Sequence, residues 1–113
     1  MSSLRSEIWC AAFVRRHNDL GRICVVSRRG DPVAGQVWVE IDHLDGTVSL
    51  FTPAPSLLQN DDEGQWLFVS RFYRENREIV AERIQQESTF DPDFWLLTLE
   101  SRSDDHGLNL AEA

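Results

Sequence analysis

Apolar and polar positions along the chain fall into helical and strand-like stretches. Residues 6–20 contain an unbroken apolar run, IWCAAFV at 8–14, which by periodicity alone fits a helix or a strand. The flanking residues decide, because Ser6 is a suitable cap and Gly21 a suitable stop. We therefore predict a helix over 6–20. The apolar side chains expected to share one face of this helix are Ile8, Trp9, Ala12 and Phe13.

Three strand-like stretches follow. Residues 22–29 are rich in β-branched side chains and end at Gly-Asp-Pro, and residues 36–44 alternate, with Val37, Val39 and Ile41 on the expected core face. Asp-Gly at 45–46 predicts a type I′ hairpin turn, and the returning strand is 47–52. These strands are predicted to form a meander.

The second half of the chain predicts a helix and a strongly apolar strand. Residues 56–65 are acidic with no predicted element, and residues 66–73 fit either a fourth strand or the approach to the next helix. Residues 74–88 carry an apolar stripe at helical spacing and predict an amphipathic helix. Residues 94–101 are apolar on both faces, which predicts a central strand or one whose outer face meets a partner.

Together these elements predict an α+β fold in the order α-β-β-β-(β)-α-β. A single, mainly antiparallel sheet of four or five strands, with two helices packed on one face, satisfies this order. A mixed sheet with one parallel pair also satisfies it, because a helix precedes the last strand. Residues 1–102 are expected to form one domain, and residues 103–113 a flexible acidic tail.

Composition agrees with one small domain. The 113 residues are 42% hydrophobic, enough for a single core. No apolar run reaches the roughly 18 residues of a membrane span, and the N-terminus lacks a signal-peptide pattern, so we expect a cytoplasmic protein without membrane contact. Cys10 and Cys24 stand in apolar surroundings and are expected to be buried, reduced thiols.

Charge is distributed unevenly. Residues 1–35 hold six arginines against three acidic residues, a balance of +3, and residues 36–113 hold five against sixteen, a balance of −11, giving −8 in total. This net charge argues against general nucleic-acid binding, which depends on clustered cations. The basic first third either provides an edge for an acidic partner or pairs with the chain's own carboxylates, and we favour the second interpretation.

Known catalytic motifs are absent from the sequence. It contains no GxSxG, HExxH, GxxxxGK[ST] or GxGxxG, so no catalytic residue, metal site or cofactor is predicted, and enzyme activity is disfavoured without being excluded. His43 lies between Asp42 and Asp45, but strand alternation places Asp42 and His43 on opposite faces. We favour a structural role for His43 over a metal or acid-base role.

The segment FDPDFW, residues 90–95, raises the question of a paired-carboxylate site. Asp91 and Pro92 suit the first two positions of a turn, in which the Asp91 carboxylate accepts a hydrogen bond from a backbone amide two residues on. We therefore predict a turn between helix and strand, with Asp91 and Asp93 diverging.

Two functions remain open. The first is a non-enzymatic protein-interaction module, with another protein or a second copy as its partner. The alternative is a small-ligand binder or enzyme with an Arg/Asp site. The ligand or partner candidates are Arg28, Arg29, Asp42, Asp91 and Asp93.

Five short phrases, in this order, give the chain a family resemblance. They are SEIW (6–9), RRGDP (28–32), LDGT (44–47), PAP (53–55) and FDPDFW (90–95). Across about residues 5–102 the chain resembles the small bacterial family catalogued as domain of unknown function 1491. The resemblance implies a single-domain cytoplasmic protein and assigns no catalytic or binding residue.

Overall fold

A computed structural model describes residues 4–55 and 66–111. Its elements are α1 (Ser6–Asp19), β1 (Ile23–Arg28), β2 (Gln36–Asp42), β3 (Thr47–Pro53), β4 (Leu67–Asn76), α2 (Arg77–Phe90), β5 (Phe94–Glu100) and β6 (Asn109–Leu110). The undecided stretch 66–73 is thus a strand, whereas the acidic loop predicted for 56–65 lies outside the described residues. No helix in the described ranges is long and apolar enough to cross a membrane.

The strands form one mixed six-stranded sheet in the order β1-β5-β2-β3-β4-β6. β5 is antiparallel to β1 and parallel to β2, and β6 is parallel to β4. The prediction of a mainly antiparallel sheet of four or five strands is therefore corrected to a mixed sheet of six strands. The predicted meander is also wrong, because β5 separates β1 from β2 and the meander is β2-β3-β4. The central position of β5 matches its apolar character on both faces.

The two helices pack on opposite faces of the sheet, so the expectation of both helices on one face is wrong. On the α1 side, Cys10 and Phe13 join a core with Val39 and Leu97. On the α2 side, Val80 belongs to a second core, whose sheet residues include Trp38, Leu50 and Leu96. Neighbouring residues of β2 and β5 thus point to different cores, and an apolar surface on each face requires cover on both sides.

The buried face of α1 differs from the predicted one. Its buried residues are Ser6, Cys10, Phe13 and His17, whereas Ile8 is 49% exposed. Ser6 does not cap the helix: Arg5 occupies the N-cap position, and the Ser6 hydroxyl donates a 2.6 Å hydrogen bond to the Gly35 carbonyl. The predicted stop at Gly21 is confirmed, with a φ of +83° and a hydrogen bond from the Arg22 amide to the His17 carbonyl.

The hairpin between β2 and β3 is confirmed, but its turn type is not. Positive φ angles occur at Leu44 and Gly46 instead of Asp45 and Gly46. The loop spans residues 43–46, closed by a hydrogen bond from the His43 amide to the Thr47 carbonyl. The Asp45 carboxylate accepts hydrogen bonds from the Thr47 amide and hydroxyl, which stabilise this longer loop.

The second helix begins three residues later than predicted. Residues 74–76 extend β4, and the Asn76 side chain caps α2 by accepting hydrogen bonds from the Glu78 and Ile79 amides. Arg74 has a φ of +49° and pairs with Asp104 at 2.9 Å, so it lies outside the helix that was predicted to begin there.

The described part of the predicted tail lies against the sheet. Residues 109–110 form β6, the Arg22 guanidinium pairs with Asp105 at 3.2 Å, and the His106 ring lies 4.6 Å from the Phe51 ring. The flexibility of 103–113 and the domain boundary at residue 102 stay predictions.

Both cysteines are buried and unpaired, as expected. Burial raises the pKa of Cys10 to about 12 and that of Cys24 to about 11. These thiols are therefore protonated at neutral pH and poor nucleophiles.

Candidate functional site

Four of the five candidate residues meet at one end of the sheet, where the phrases RRGDP and FDPDFW adjoin. Because β1 and β5 are antiparallel, the end of β1 lies beside the start of β5. The Arg28 guanidinium donates two hydrogen bonds, of 3.1 and 3.0 Å, to the Pro92 carbonyl and lies 4.8 Å from the centroid of the Phe94 ring. Arg29 lies 4.9 Å from the Trp95 ring. Each arginine is thus placed by an aromatic ring of β5.

The two aspartates of this junction bind separate backbone amides. Asp91 accepts a hydrogen bond from the Asp93 amide at 3.1 Å, which confirms the predicted turn. Asp93 accepts one from the Asp31 amide at 2.7 Å, and the Trp95 indole donates to the Asp31 carbonyl at 2.9 Å. The Asp93 carboxylate therefore joins two loops, whereas the Asp91 carboxylate closes its own turn. A ligand role for Asp91 or Asp93 stays a prediction.

Asp42 lies at the other end of the sheet. In the parallel pair of β2 with β5, Asp42 is opposite Glu100, whereas Asp93 precedes Phe94, which is opposite Gln36. Asp42 and Asp93 are thus separated by about 20 Å along the strands. Asp42 instead pairs with Arg77 at 3.0 Å. The five candidates consequently do not form one Arg/Asp site.

The basic first third of the chain pairs only partly with the chain's own carboxylates. Arg15 lies 4.0 Å from Asp19, and Arg22 lies 3.2 Å from Asp105. Arg28 and Arg29 belong to no ion pair within the described ranges. The favoured interpretation therefore holds for Arg15 and Arg22 and leaves two guanidinium charges at the end of β1 without a described acidic partner.

Strand β1 forms one edge of the sheet and carries exposed apolar side chains. Cys24 points into the α1-side core, so Ile23 and Val25 point to the α2 side, where they are 58% and 49% exposed. Helix α2 packs over β3 and β4, at the other end of the sheet. The surface formed by β1 and its exposed residues Ile23 and Val25 is called the β1 edge below.

A chain of hydroxyl hydrogen bonds crosses the sheet beside the β1 edge. The Ser27 and Thr98 hydroxyls are 2.6 Å apart, and the Thr98 hydroxyl donates to the Glu40 carboxylate at 2.7 Å. Burial raises the pKa of Glu40, an effect that the Thr98 hydrogen bond partly opposes. The sequence prediction missed these residues, because Ser, Thr and Glu at alternating strand positions are typical of any solvated sheet face.

The histidines are held by structural hydrogen bonds. The ring of His43 is buried, with its Nδ1 2.8 Å from the Ser101 carbonyl and its Nε2 2.9 Å from the Ser49 hydroxyl. These contacts agree with the structural role favoured for His43. In the part of the chain that the structure describes, no three His, Cys, Asp or Glu side chains form a group able to hold a metal ion.

A cavity of about 220 Å³ lies between α2 and the sheet. Its residues are Trp38, Leu50, Thr52, Arg71, Phe72, Arg83 and Glu87. Sequence alternation did not indicate this cavity, because it places Arg71 and Phe72 on opposite faces of a regular strand.

Comparison with known proteins places the chain in a family. The family described as "Protein of unknown function (DUF1491)" matches residues 4–109. The chain belongs to the DUF1491 family. The phrases that meet at the junction of β1 and β5 are thus part of a DUF1491 domain, as the resemblance implied. No curated protein matches this DUF1491 chain.

Solved structures of similar proteins share the fold. Protein Atu0922 from A. tumefaciens is 27% identical, with a TM-score of 0.82 over 99% of this chain and 98% of that one. A DUF1491 family protein from Caulobacter crescentus CB15 is 25% identical in its crystal structure, with a TM-score of 0.77 over 98% of this chain and all of that one. An NMR structure of a DUF1491 family protein from the same organism is 26% identical, with a TM-score of 0.76 over 99% and 100% of the two chains.

Proposed function

We propose that this DUF1491 protein is a non-enzymatic, cytoplasmic interaction module that binds an extended acidic segment of a partner protein along the β1 edge. The observation that carries the proposal is an edge strand with exposed apolar side chains beside two arginines that have no described acidic partner. An edge strand offers backbone donors and acceptors to an added strand, and alternate side chains supply specificity. The Cys24 amide and carbonyl already bond the Asn18 side chain, at 2.9 and 3.2 Å, so the added strand pairs with the part of β1 beyond Cys24.

The apolar part of the binding surface is provided by Ile23 and Val25. Both side chains lie on the same face of β1 and are about half exposed. A strand added beside β1 would place its own apolar residues next to them, which removes apolar surface from water on both sides.

The charged part is provided by Arg28 and Arg29. Stacking of both guanidinium groups on Phe94 and Trp95 restricts their side chains before a partner binds. A restricted guanidinium loses less conformational entropy when it binds a carboxylate, so these arginines favour acidic residues near one end of the added strand.

A second copy of the chain fits this edge less well than an acidic segment does. Antiparallel pairing of two β1 strands about a two-fold axis would place Arg28 of one copy towards Arg22 of the other, whose nearby carboxylate, Asp105, is already paired with Arg22. Each copy also carries a net charge of −8, which opposes self-association.

The proposal is tested by NMR titration of the isotope-labelled protein with a peptide of alternating valine and glutamate long enough to pair with β1. We expect saturable chemical-shift changes of the Ile23–Arg28 amides and slower hydrogen exchange in the part of β1 beyond Cys24, whose own amide is already bonded to Asn18. A peptide with lysine in place of glutamate should bind at least about tenfold more weakly, because it repels the arginines.

Matched variants distinguish binding at the β1 edge from nonspecific binding. Val25→Lys should abolish peptide binding, whereas Ile79→Lys, at a similarly exposed position on α2, should leave it unchanged. Absence of saturable shifts, or equal binding by Val25→Lys, would overturn the proposal. A dimer of the unliganded protein that Val25→Lys dissociates would replace the acidic segment with a second copy as the occupant.

A further inference from the structure

The cavity between α2 and the sheet combines an apolar lining with charged side chains. Trp38, Leu50 and Phe72 supply its apolar lining, and Arg71, Arg83 and Glu87 its charges. Small-molecule sites combine a concave, largely apolar wall with a few placed polar groups. This cavity lies over β3 and β4, away from the β1 edge.

A β-bulge directs Arg71 into the cavity. Leu50 is opposite Phe72, but the next residue, Phe51, is opposite Ser70, so Arg71 is an extra residue in β4. The bulge turns Arg71 and Phe72 towards the same side of the sheet, whereas Ser70 lines a separate cavity on the α1 side. Bulges that re-aim a side chain are frequent beside functional sites.

The Arg71 guanidinium is positioned by one hydrogen bond, from its Nε. Its Nε donates a 3.0 Å hydrogen bond to the Thr52 hydroxyl, which also lines the cavity. Arg71 belongs to no ion pair among residues 4–55 and 66–111. Within the described ranges its terminal nitrogens have no partner, so their N–H groups can bind a ligand in the fork geometry that matches a carboxylate or phosphate.

Arg83 adds a second guanidinium from α2. Its Nε lies 3.4 Å from the Glu87 carboxylate, a pair one helical turn apart that leaves the terminal nitrogens of Arg83 without a described partner. Two arginines against one glutamate give the cavity a charge of about +1 in a chain whose net charge is −8. This local reversal of sign favours an anionic ligand.

We propose that this cavity binds a small organic anion with a flat apolar body, its carboxylate or phosphate held by Arg71 and Arg83 and its ring packed against Trp38 and Phe72. The volume of about 220 Å³ is smaller than that of sites for drug-sized ligands. It suits a single ring with one acidic substituent and is too small for a dinucleotide.

The proposal is tested by calorimetric titration of the full chain with benzoate, phenyl phosphate, inorganic phosphate and neutral benzyl alcohol. Benzoate or phenyl phosphate should bind with a dissociation constant at or below about 1 mM. Inorganic phosphate has the anionic group without the ring, and benzyl alcohol has the ring without the anionic group. Each should therefore bind at least about tenfold more weakly.

Variants that remove positive or negative charge from the cavity should change the affinity for the anion in opposite directions. Arg71→Gln and Arg83→Gln should each weaken binding of the preferred anion about tenfold or more, and Glu87→Gln should strengthen it by removing a repelling charge. Arg15→Gln on α1, whose side chain is 85% exposed, is the matched control and should bind like the unmodified protein. The indole N–H signal of Trp38 should shift on titration.

Three results would overturn this inference. They are no saturable binding of benzoate or phenyl phosphate up to about 10 mM, equal binding of benzyl alcohol or inorganic phosphate, and unchanged binding by the Arg71→Gln, Arg83→Gln double variant. This test does not depend on peptide binding at the β1 edge. Val25→Lys, which should abolish peptide binding, changes no residue of the cavity and should leave anion binding intact.

Discussion

The Asp93 carboxylate accepts a 2.7 Å hydrogen bond from the backbone amide of Asp31 and thereby joins the loop after β1 to the turn before β5. Arg28 and Trp95 reinforce this junction through hydrogen bonds to the Pro92 and Asp31 carbonyls. Four charged residues that the sequence offered as ligand candidates are thereby gathered at one place, and the aspartates among them bind the chain's own backbone.

Removal of the Asp93 carboxylate should destabilise the fold. We expect Asp93→Ala to lower the free energy of unfolding by about 1 to 2 kcal/mol, because a backbone amide loses a charged acceptor. Asp91→Ala, which removes only the bond within the turn, should cost about 1 kcal/mol. Urea unfolding measures both. An unchanged stability of Asp93→Ala would contradict the structural role, as would a folded Asp91→Ala variant that binds no acidic peptide.

Gly30 should not tolerate a side chain, although it lies in a loop. A Cβ atom there would lie 2.8 Å from the Phe94 carbonyl carbon and 2.9 Å from the Trp95 ring. Gly30→Ala should therefore lower the free energy of unfolding by about 2 to 3 kcal/mol through overpacking. Gly21→Ala is the comparison, since its Cβ meets open space and only the positive φ is strained. It should cost about 1 kcal/mol by the same measurement.

Stability should fall as the pH drops below about 6.5, partly because of His17. Burial, followed by the charges of Arg22 and Arg16, lowers the pKa of His17 from 6.5, against the opposing hydrogen bond to the His106 carbonyl and the charge of Asp105. The unfolded chain therefore binds a proton that the folded protein excludes, so the stability that His17 contributes is full above pH 6.5 and is lost as the pH falls towards the folded-state pKa.

The measurement is the free energy of unfolding against pH, for the unmodified protein and for His17→Gln. At neutral pH the variant should have a lower free energy of unfolding, since the contacts with Arg22 and His106 change. As the pH falls, its free energy of unfolding should decrease less than that of the unmodified protein. Burial also lowers the pKa of His106, so His106→Gln should remove its own share of the slope. An unchanged slope in His17→Gln would contradict the prediction.

Glu40 should show the opposite pH dependence. Burial raises its pKa above 4.5, so the folded protein holds a proton that the unfolded chain has released between pH 4.5 and the folded-state pKa. Stability from this group is therefore greatest below pH 4.5 and declines as the pH rises through that window. Glu40→Gln, which keeps an acceptor for the Thr98 hydroxyl, should be more stable than the unmodified protein at neutral pH, with a smaller difference in acid.

Thermal or urea unfolding at two pH values checks this difference. Glu82→Gln, at an exposed position of α2, is the control for the same substitution outside the sheet. A Glu40→Gln variant less stable than the unmodified protein at neutral pH would show that the carboxylate favours the fold.

The sequence by itself determined the local elements of this protein. The apolar stretch 94–101 predicted β5, the stripe with Val80 and Ile84 predicted α2, and Asp-Gly at 45–46 predicted a hairpin. The turn at Asp91 was predicted with its hydrogen bond. Such features depend on side chains a few residues apart, so periodicity and turn preferences report them, and the ordered phrases were sufficient to indicate the family.

Only the tertiary structure decided which elements are neighbours and which side chains meet. The apolar pattern of residues 94–101 indicates that β5 is buried on both faces. It does not indicate that β5 lies between β1 and β2, or that each face of the sheet is covered by a different helix. The direction of Arg71 follows from a bulge, which exists only in the register of β4 against β3. Strand order and register are set by the burial of whole faces over long sequence separations, so no local pattern encodes the cavity under α2 or the open β1 edge.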